Sequence, residues 1–250
     1  MKEERFSVGG SPLHRGSVKL KLCGGLLFIP AFAITPSYRE ALIFLFISLL
    51  LTAIARLPLK HVINRLVLAN FFSLFLFITL PLTYGGDPFL IWGVPVSKAG
   101  FLLGGLIVIK TNGILLALIA LLGTSTVSSL GHGLNALGVS DRLTALLLFS
   151  YRYIFVIEQE FKRLQRAAKI RGFSPGTNVH TYRTFGYLIG MTMVKSWDQS
   201  QRIHDAMVLR GYDGQFFPLT NPSNRSPFDL ILFLGLVLAS IILTFLGYLG

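Results

Sequence analysis

Leu66–Gly86, LVLANFFSLFLFITLPLTYGG, runs for 21 residues without an Asp, Glu, Lys or Arg. A helix needs about 20 predominantly apolar residues to cross the hydrocarbon core of a bilayer. Four more runs flank this one. Leu22–Tyr38 and Ala41–Ala55 precede it, Ala99–Gly131 follows with Lys110 as its single charge, and Leu230–Gly250 closes the chain. The first two are short, and Pro36-Ser37-Tyr38-Arg39-Glu40 between them reads as a tight polar turn, so they form a transmembrane hairpin. The composition agrees. The 250 residues are 52% hydrophobic and 14% charged, with 21 Phe. Soluble domains carry roughly 25% charge, so an ordinary soluble enzyme is excluded. The single cysteine, Cys23, rules out an intrachain disulfide. Met1 to Lys21 has five basic residues but no small-residue cleavage site after an apolar run, so no cleaved leader is expected.

The net charge of +12 has a location. Basic residues gather at Lys2, Arg5, Arg15, Lys19 and Lys21 and again at Arg56, Lys60 and Arg65, while the alternate loops hold only Arg39 and Lys98. The positive-inside rule places the N-terminus in the cytoplasm. Four spans over residues 1–124 then return the chain there, residues 125–227 form a cytoplasmic region, and 228–250 make a last spanning helix. The cytoplasmic stretch Thr124–Pro227 holds 12 of the 23 basic residues and six acidic ones.

Two long helices are expected within it. From Asp141 to Arg171 the apolar positions Leu143, Leu147, Tyr151, Ile154, Ile157, Phe161, Leu164 and Ala168 step by three or four. Gly172-Phe173-Ser174-Pro175-Gly176 breaks that helix. A second runs from about Tyr182 to Arg210 with the weaker stripe Ile189, Met193, Trp197, Ser200, Ile203 and Met207. A shorter helix is read over Val127–Leu137. The long helices end alike: Ala167-x-x-x-Arg171-Gly172-Phe173 and Ala206-x-x-x-Arg210-Gly211-Tyr212, with the arginines 39 residues apart. Ala four residues before Arg keeps that face thin, and Gly after it permits the left-handed turn that stops a helix. A single such ending is an ordinary helix stop, since Arg near a C-terminus also favours the helix dipole. A matched pair suggests a partner with two equivalent sockets.

With Leu13-His14-Arg15, Val18-Lys19-Leu20, Thr124-x-Thr126, Leu134-x-x-Leu137-Gly138-Val139, Tyr151-Arg152-Tyr153-Ile154-Phe155 and Arg210-Gly211-Tyr212-Asp213-Gly214, these endings resemble a known family over nearly the whole chain. It is the transmembrane T component of energy-coupling-factor (ECF) transporters, cobalt/nickel branch (CbiQ type). Ile170 and Leu209 stand where that family often has alanine before the arginine. The resemblance implies an all-α membrane protein of about five spans and two coupling helices. Its implied partners are two ATP-hydrolysing subunits and a small substrate-binding membrane subunit within the lipid bilayer of the cell membrane. It also implies that Ala167, Arg171, Gly172, Ala206, Arg210 and Gly211 dock the ATPases.

No Gly-x-x-x-x-Gly-Lys-Ser/Thr loop occurs, so ATP and magnesium belong to the partners and no cofactor is expected in this chain. His14, His61, His132, His180 and His204 show no metal-ligand spacing, and no metal site is expected. Ser125, Ser128 and Ser129 lack a nucleophile elbow and read as a helix start. Lys110 is open to two readings, functional or structural, the latter facing the helix bundle or snorkelling. Gly104, Gly105 and Gly113 read as close-packing positions. The alternatives are a T component serving vitamin-binding subunits, a membrane-bound enzyme with an unrecognised site, and a basic scaffold for nucleic acid. Acids alternating with bases over Glu158–Lys162 argue against the scaffold, so no nucleic acid partner is expected.

Overall fold

The computed structural model describes residues 11–85, 88–91, 94–212 and 227–249. Lys2, Arg5, Gly86, Asp213, Gly214 and Gly250 of the readings above lie outside the described residues. Nine helices and one hairpin occur among those described: α1 (Pro12–Arg15), α2 (Val18–Ile34), α3 (Tyr38–Ala55), α4 (Leu59–Thr83), β1 (Pro88–Ile91), β2 (Val94–Ser97), α5 (Lys98–Leu121), α6 (Val127–Ala136), α7 (Asp141–Ile170), α8 (Val179–Val208) and α9 (Pro227–Leu249). The all-α class holds, with the antiparallel β1–β2 hairpin, Pro88 opposite Ser97, as a small addition.

Among the described residues, four helices are long and apolar enough to cross a membrane: α3, α4, α5 and, over Asp229–Gly247, α9. The chain is a multi-pass membrane protein. α2, the first of the five expected runs, has 17 residues, at the lower limit for spanning. It begins at Val18, four residues before the uncharged run, because Lys19 and Lys21 are helix formers that a run of uncharged residues overlooks. The turn after it is shorter than Pro36–Glu40. Tyr38, Arg39 and Glu40 already belong to α3, with the acid of Glu40 in the favourable first turn. The run Ala99–Gly131 is divided: α5 stops at Leu121, and Thr126 accepts the Ser129 N–H at 3.2 Å to start α6. Ser128 and Ser129 lie in the first turn of α6, as a helix start rich in Ser and Thr predicts, while Ser125 precedes the cap and accepts from Lys21.

The chain folds as two compact units. The first comprises residues 1–137 and 220–250 and the second residues 138–219. In the first unit the core lies between α2, α3 and α5, where Phe28, Phe32 and Phe44 are fully buried and the rings of Phe32 and Phe44 stack with centroids 4.8 Å apart. Glycines set how closely α5 approaches its neighbours. A Cβ on Gly113 would lie 2.2 Å from the Phe32 ring, one on Gly104 3.2 Å from Phe77, and one on Gly100 2.6 Å from the Leu80 carbonyl oxygen. Gly105 faces Tyr38. Such small-residue contacts let helices gain dispersion energy where lipid offers no hydrophobic driving force.

Several polar groups inside this unit are paired internally. Asn70 and Asn112 exchange two amide hydrogen bonds of 2.8 Å between α4 and α5. Lys110 donates to the Ala33 carbonyl oxygen at 2.7 Å, capping the C-terminal end of α2. The bundle-facing reading of Lys110 is the one the structure supports. Lys21, buried, donates to Ser125 Oγ at 3.3 Å, and Asp229 at the start of α9 accepts the Ser17 N–H at 2.9 Å.

Gly113→Val is expected to destabilise the protein by about 1–3 kcal/mol through overpacking against Phe32. Gly235→Ala on α9, where a Cβ meets open space, is expected to be neutral or mildly stabilising. Thermal unfolding in detergent micelles checks both.

Candidate functional site

The second unit is the α7–α8 pair. α7 starts where Ser140 accepts the Leu143 N–H, and α8 starts where Asn178 accepts the Thr181 N–H at 2.8 Å. The Asn178 cap explains why α8 begins three residues before the expected Tyr182. The eight-residue turn between them is held by Phe173, whose ring packs edge-on against His180 and Phe185, and by the Gly176 N–H on Thr181 Oγ1 at 3.0 Å.

Glu160 pairs with Lys195 across the two helices, and Arg163 lies 3.7 Å from the same carboxylate. Lys195 holds the Glu160 carboxyl below the ordinary carboxylate range, chiefly through its hydrogen bond. Lys162 does the same for Glu158 within α7. Beyond the Glu160–Lys195 contact a groove of about 740 Å³ opens, lined on α7 by Phe149, Tyr153 and Ile157 and on α8 by Gln199, Ile203 and Met207. Glu160 meets Lys195 and Phe149 shares a groove with Met207, so the helices run antiparallel.

The expected apolar stripes divide. On α7, Phe161, Leu164 and Ala168 are half-buried while Leu143, Leu147, Ile154 and Ile157 are exposed. On α8, Ile203 and Met207 line the groove, but Met193 and Trp197 are 70% and 68% exposed and Ile189 is open too. The buried face of α8 is instead Thr181, Leu188 and Thr192, in line with Lys195. Its polar threonines carried no hydrophobic signal. The Glu160–Lys195 pair was equally silent, being 35 residues apart.

The two ends repeat in backbone detail. At the end of α7, Gly172 has φ +86°, its N–H reaches the Lys169 carbonyl at 3.0 Å, and the Phe173 N–H reaches the Ala168 carbonyl at 3.1 Å. At the end of α8, Gly211 has φ +81°, its N–H reaches Val208 at 2.9 Å, and the Tyr212 N–H reaches Met207 at 3.0 Å. Both are Schellman stops, each with arginine as the last residue before the left-handed glycine. Ala167, Arg171, Gly172, Ala206, Arg210 and Gly211 are all exposed. Neither the Arg171 nor the Arg210 side chain has a hydrogen bond or ion pair among the described residues. Ile170 and Leu209, just before them, are 87% and 88% exposed. Each end thus presents an apolar knob, an unpaired guanidinium and a bare backbone turn. Met207 lies in the groove beside Phe149, so Arg210 is level with the first half of α7 while Arg171 is at its end. At 1.5 Å per residue the arginines are on the order of 35–40 Å apart along the pair.

Residues 9–219 match the model of the CbiQ cobalt transport protein family. The chain belongs to that family. Its members are membrane components of transporters, not enzymes. The chain is 28% identical over 156 residues to the uncharacterized protein MJ1089 of Methanocaldococcus jannaschii, covering 62% of this chain and 57% of that protein. It is 20% identical over 221 residues to MJ1571 of the same organism, covering 85% and 75%. To the nickel permease LarQ of Lactiplantibacillus plantarum it is 29% identical over 93 residues, 37% of this chain and 33% of that protein. The match thus spans little more than half of MJ1089 and a third of LarQ.

Gly172→Val forces a branched side chain into the left-handed region and should cost about 1–2 kcal/mol in the last turn of α7. Faster hydrogen exchange at the Gly172 and Phe173 amides reads it. The folded-state pKa of Glu160 is depressed, so its pairing with Lys195 contributes fully above the ordinary carboxylate range and is lost as pH falls through the lowered value. Lys195→Ala is therefore expected to move the Glu160 titration upward, toward that ordinary range, in carboxyl carbon NMR.

Proposed function

We propose that this chain is the energy-coupling transmembrane subunit of an ECF-type transporter that takes up a divalent metal ion, cobalt or nickel. Two ATP-hydrolysing subunits dock its α7 and α8 ends, and a small substrate-binding membrane subunit rides against it. The N-terminus and the α7–α8 pair face the cytoplasm, where the ATPases are, in keeping with the basic loops. Residues 1–124 form the N-terminal transmembrane region, 125–227 the coupling region and 228–250 the final spanning helix.

The observation that carries this reading is the repeated Schellman stop. Two rigid, identical backbone turns each display one unpaired arginine, and the two are separated by roughly the width of a small protein domain. A guanidinium bound in a groove makes charge-assisted hydrogen bonds that hold the helix end while the socket moves. ATP binding and hydrolysis would shift the two sockets relative to each other, and the helices, antiparallel and joined by Glu160–Lys195, would transmit that shift as a change in their crossing. The exposed stripe of Ile189, Met193 and Trp197 offers the substrate-binding subunit an apolar face. ATP and magnesium reside on the ATPases, and the chain performs no chemistry of its own. The family name and the partial likeness to a nickel permease support the choice of cargo.

Purification from native membranes in mild detergent is expected to recover two copies of an ATP-hydrolysing subunit and one small membrane subunit carrying cobalt or nickel. Arg171→Glu with Arg210→Glu is expected to release the ATPases and abolish metal uptake while the chain stays in the membrane. Full ATPase retention and unchanged uptake in that variant would overturn the reading.

A further inference from the structure

The two helix ends repeat in backbone and in arginine, but the charge behind them does not repeat. At the 39-residue interval Lys162, Arg163, Arg166, Lys169 and Arg171 correspond to Gln201, Arg202, Asp205, Val208 and Arg210. Residues 161–171 hold five basic and no acidic side chains, net +5, whereas residues 200–210 hold two basic and one acidic, net +1. Counting one turn further back brings in Glu158 and Glu160 on α7 and Asp198 on α8. The nets become +3 over 158–171 and zero over 197–210.

The local contacts sharpen the difference. Lys162 is taken by Glu158, and Arg163 shares Glu160 with Lys195. Arg166, Lys169 and Arg171 are exposed and have no acidic partner among the described residues. On α8, Arg202 is bonded to Gln199 at 2.9 Å, Asp205 is exposed, and Val208 is 53% exposed beside Leu209. The last two turns of α7 therefore project a concentrated positive field, and those of α8 project an apolar edge with one arginine. Charges within about 10 Å of a contact act on it together at roughly 0.1 M salt and separately at high salt.

We propose that the two ends dock unequally. Both ends enter equivalent sockets rimmed with acidic groups, one on each copy of the ATP-hydrolysing subunit. The α7 end is held there by its cluster of positive charge, a grip that salt weakens, and the α8 end chiefly by Val208, Leu209 and a single guanidinium. This rests on the docking reading above. Its consequence is an order of engagement: the α7 end is steered in electrostatically and the α8 end seats by short-range contact.

The probe is the ATP-hydrolysing subunits that co-purify with the full chain, titrated onto the chain in nanodiscs at about 50 and about 500 mM salt, where the Debye length falls from roughly 14 to roughly 4 Å. Arg210→Ala leaves the α7 end to bind, and its Kd is expected to rise by about tenfold or more over that range. Arg171→Ala leaves the α8 end, and its Kd is expected to rise less than about threefold. Asp205→Arg with Val208→Lys, added to Arg171→Ala, copies the α7 charges onto α8 and should make its salt dependence steep. Equal slopes for the two single variants, or a graft that leaves the slope shallow, would overturn unequal docking while leaving docking intact. Wild-type binding by the Arg171→Ala, Arg210→Ala double variant would instead remove the docking reading, and unequal docking with it. All the altered side chains are exposed, so folding is not at stake.

Discussion

A helix can display its last residue only if the backbone turns away at once, and in this protein a glycine in the left-handed region makes that turn at both long helix ends. With φ +86° at Gly172 and +81° at Gly211, each chain reverses within one residue and feeds two N–H groups back onto the final carbonyls. A side chain with a Cβ is disfavoured at that φ by about 1–2 kcal/mol. The helix termini are therefore closed by hydrogen bonds, and what is left uncovered is the arginine before the turn and the apolar residue before that. Everything attributed to coupling depends on these ends being stiff enough to be pushed.

The membrane unit is packed closely on itself. Its glycines remove side chains where α5 meets Phe32, Phe77 and the Leu80 carbonyl, and several of its polar groups are paired internally. The Asn70–Asn112 amide pair and the Lys110 cap on Ala33 satisfy donors that would be costly in hydrocarbon. Close packing and internal pairing give a platform. The α7–α8 pair has the contrary composition, with apolar residues left open on α8 and charge concentrated on the end of α7. These surfaces are left unused by the pair's own fold, as the proposed docking requires.

Much of this was legible in the residues. Uncharged runs located α3, α4, α5 and α9, because a spanning helix must be apolar along nearly its whole length. Boundaries were less legible: charged residues such as Lys19 and Lys60 sit comfortably in the first turns of α2 and α4, so a search for uncharged runs starts those helices late. The β1–β2 hairpin was missed because four-residue strands have too few residues for a period to emerge. The repeated Ala-x-x-x-Arg-Gly endings were legible, since a glycine stop is a local device, and the structure gives both the same hydrogen-bond pattern. The Glu160–Lys195 pair and the polar buried face of α8 were not. They depend on which sides of two helices meet, and neither spacing nor hydrophobicity encodes that for threonines and a distant ion pair.

The central claim is that both helix ends are held by ATP-hydrolysing subunits, and proximity tests it most directly. Ile170→Cys and Leu209→Cys place thiols at two exposed positions beside the arginines, with Cys23 replaced by serine to leave no other thiol. Treating native membranes with a short photo-activated thiol-specific cross-linker should join each position to an ATP-hydrolysing subunit. The doubly substituted chain should carry two subunits at once. Cross-links from one end only, or from neither, while the subunits remain active in the same membranes, would contradict the account.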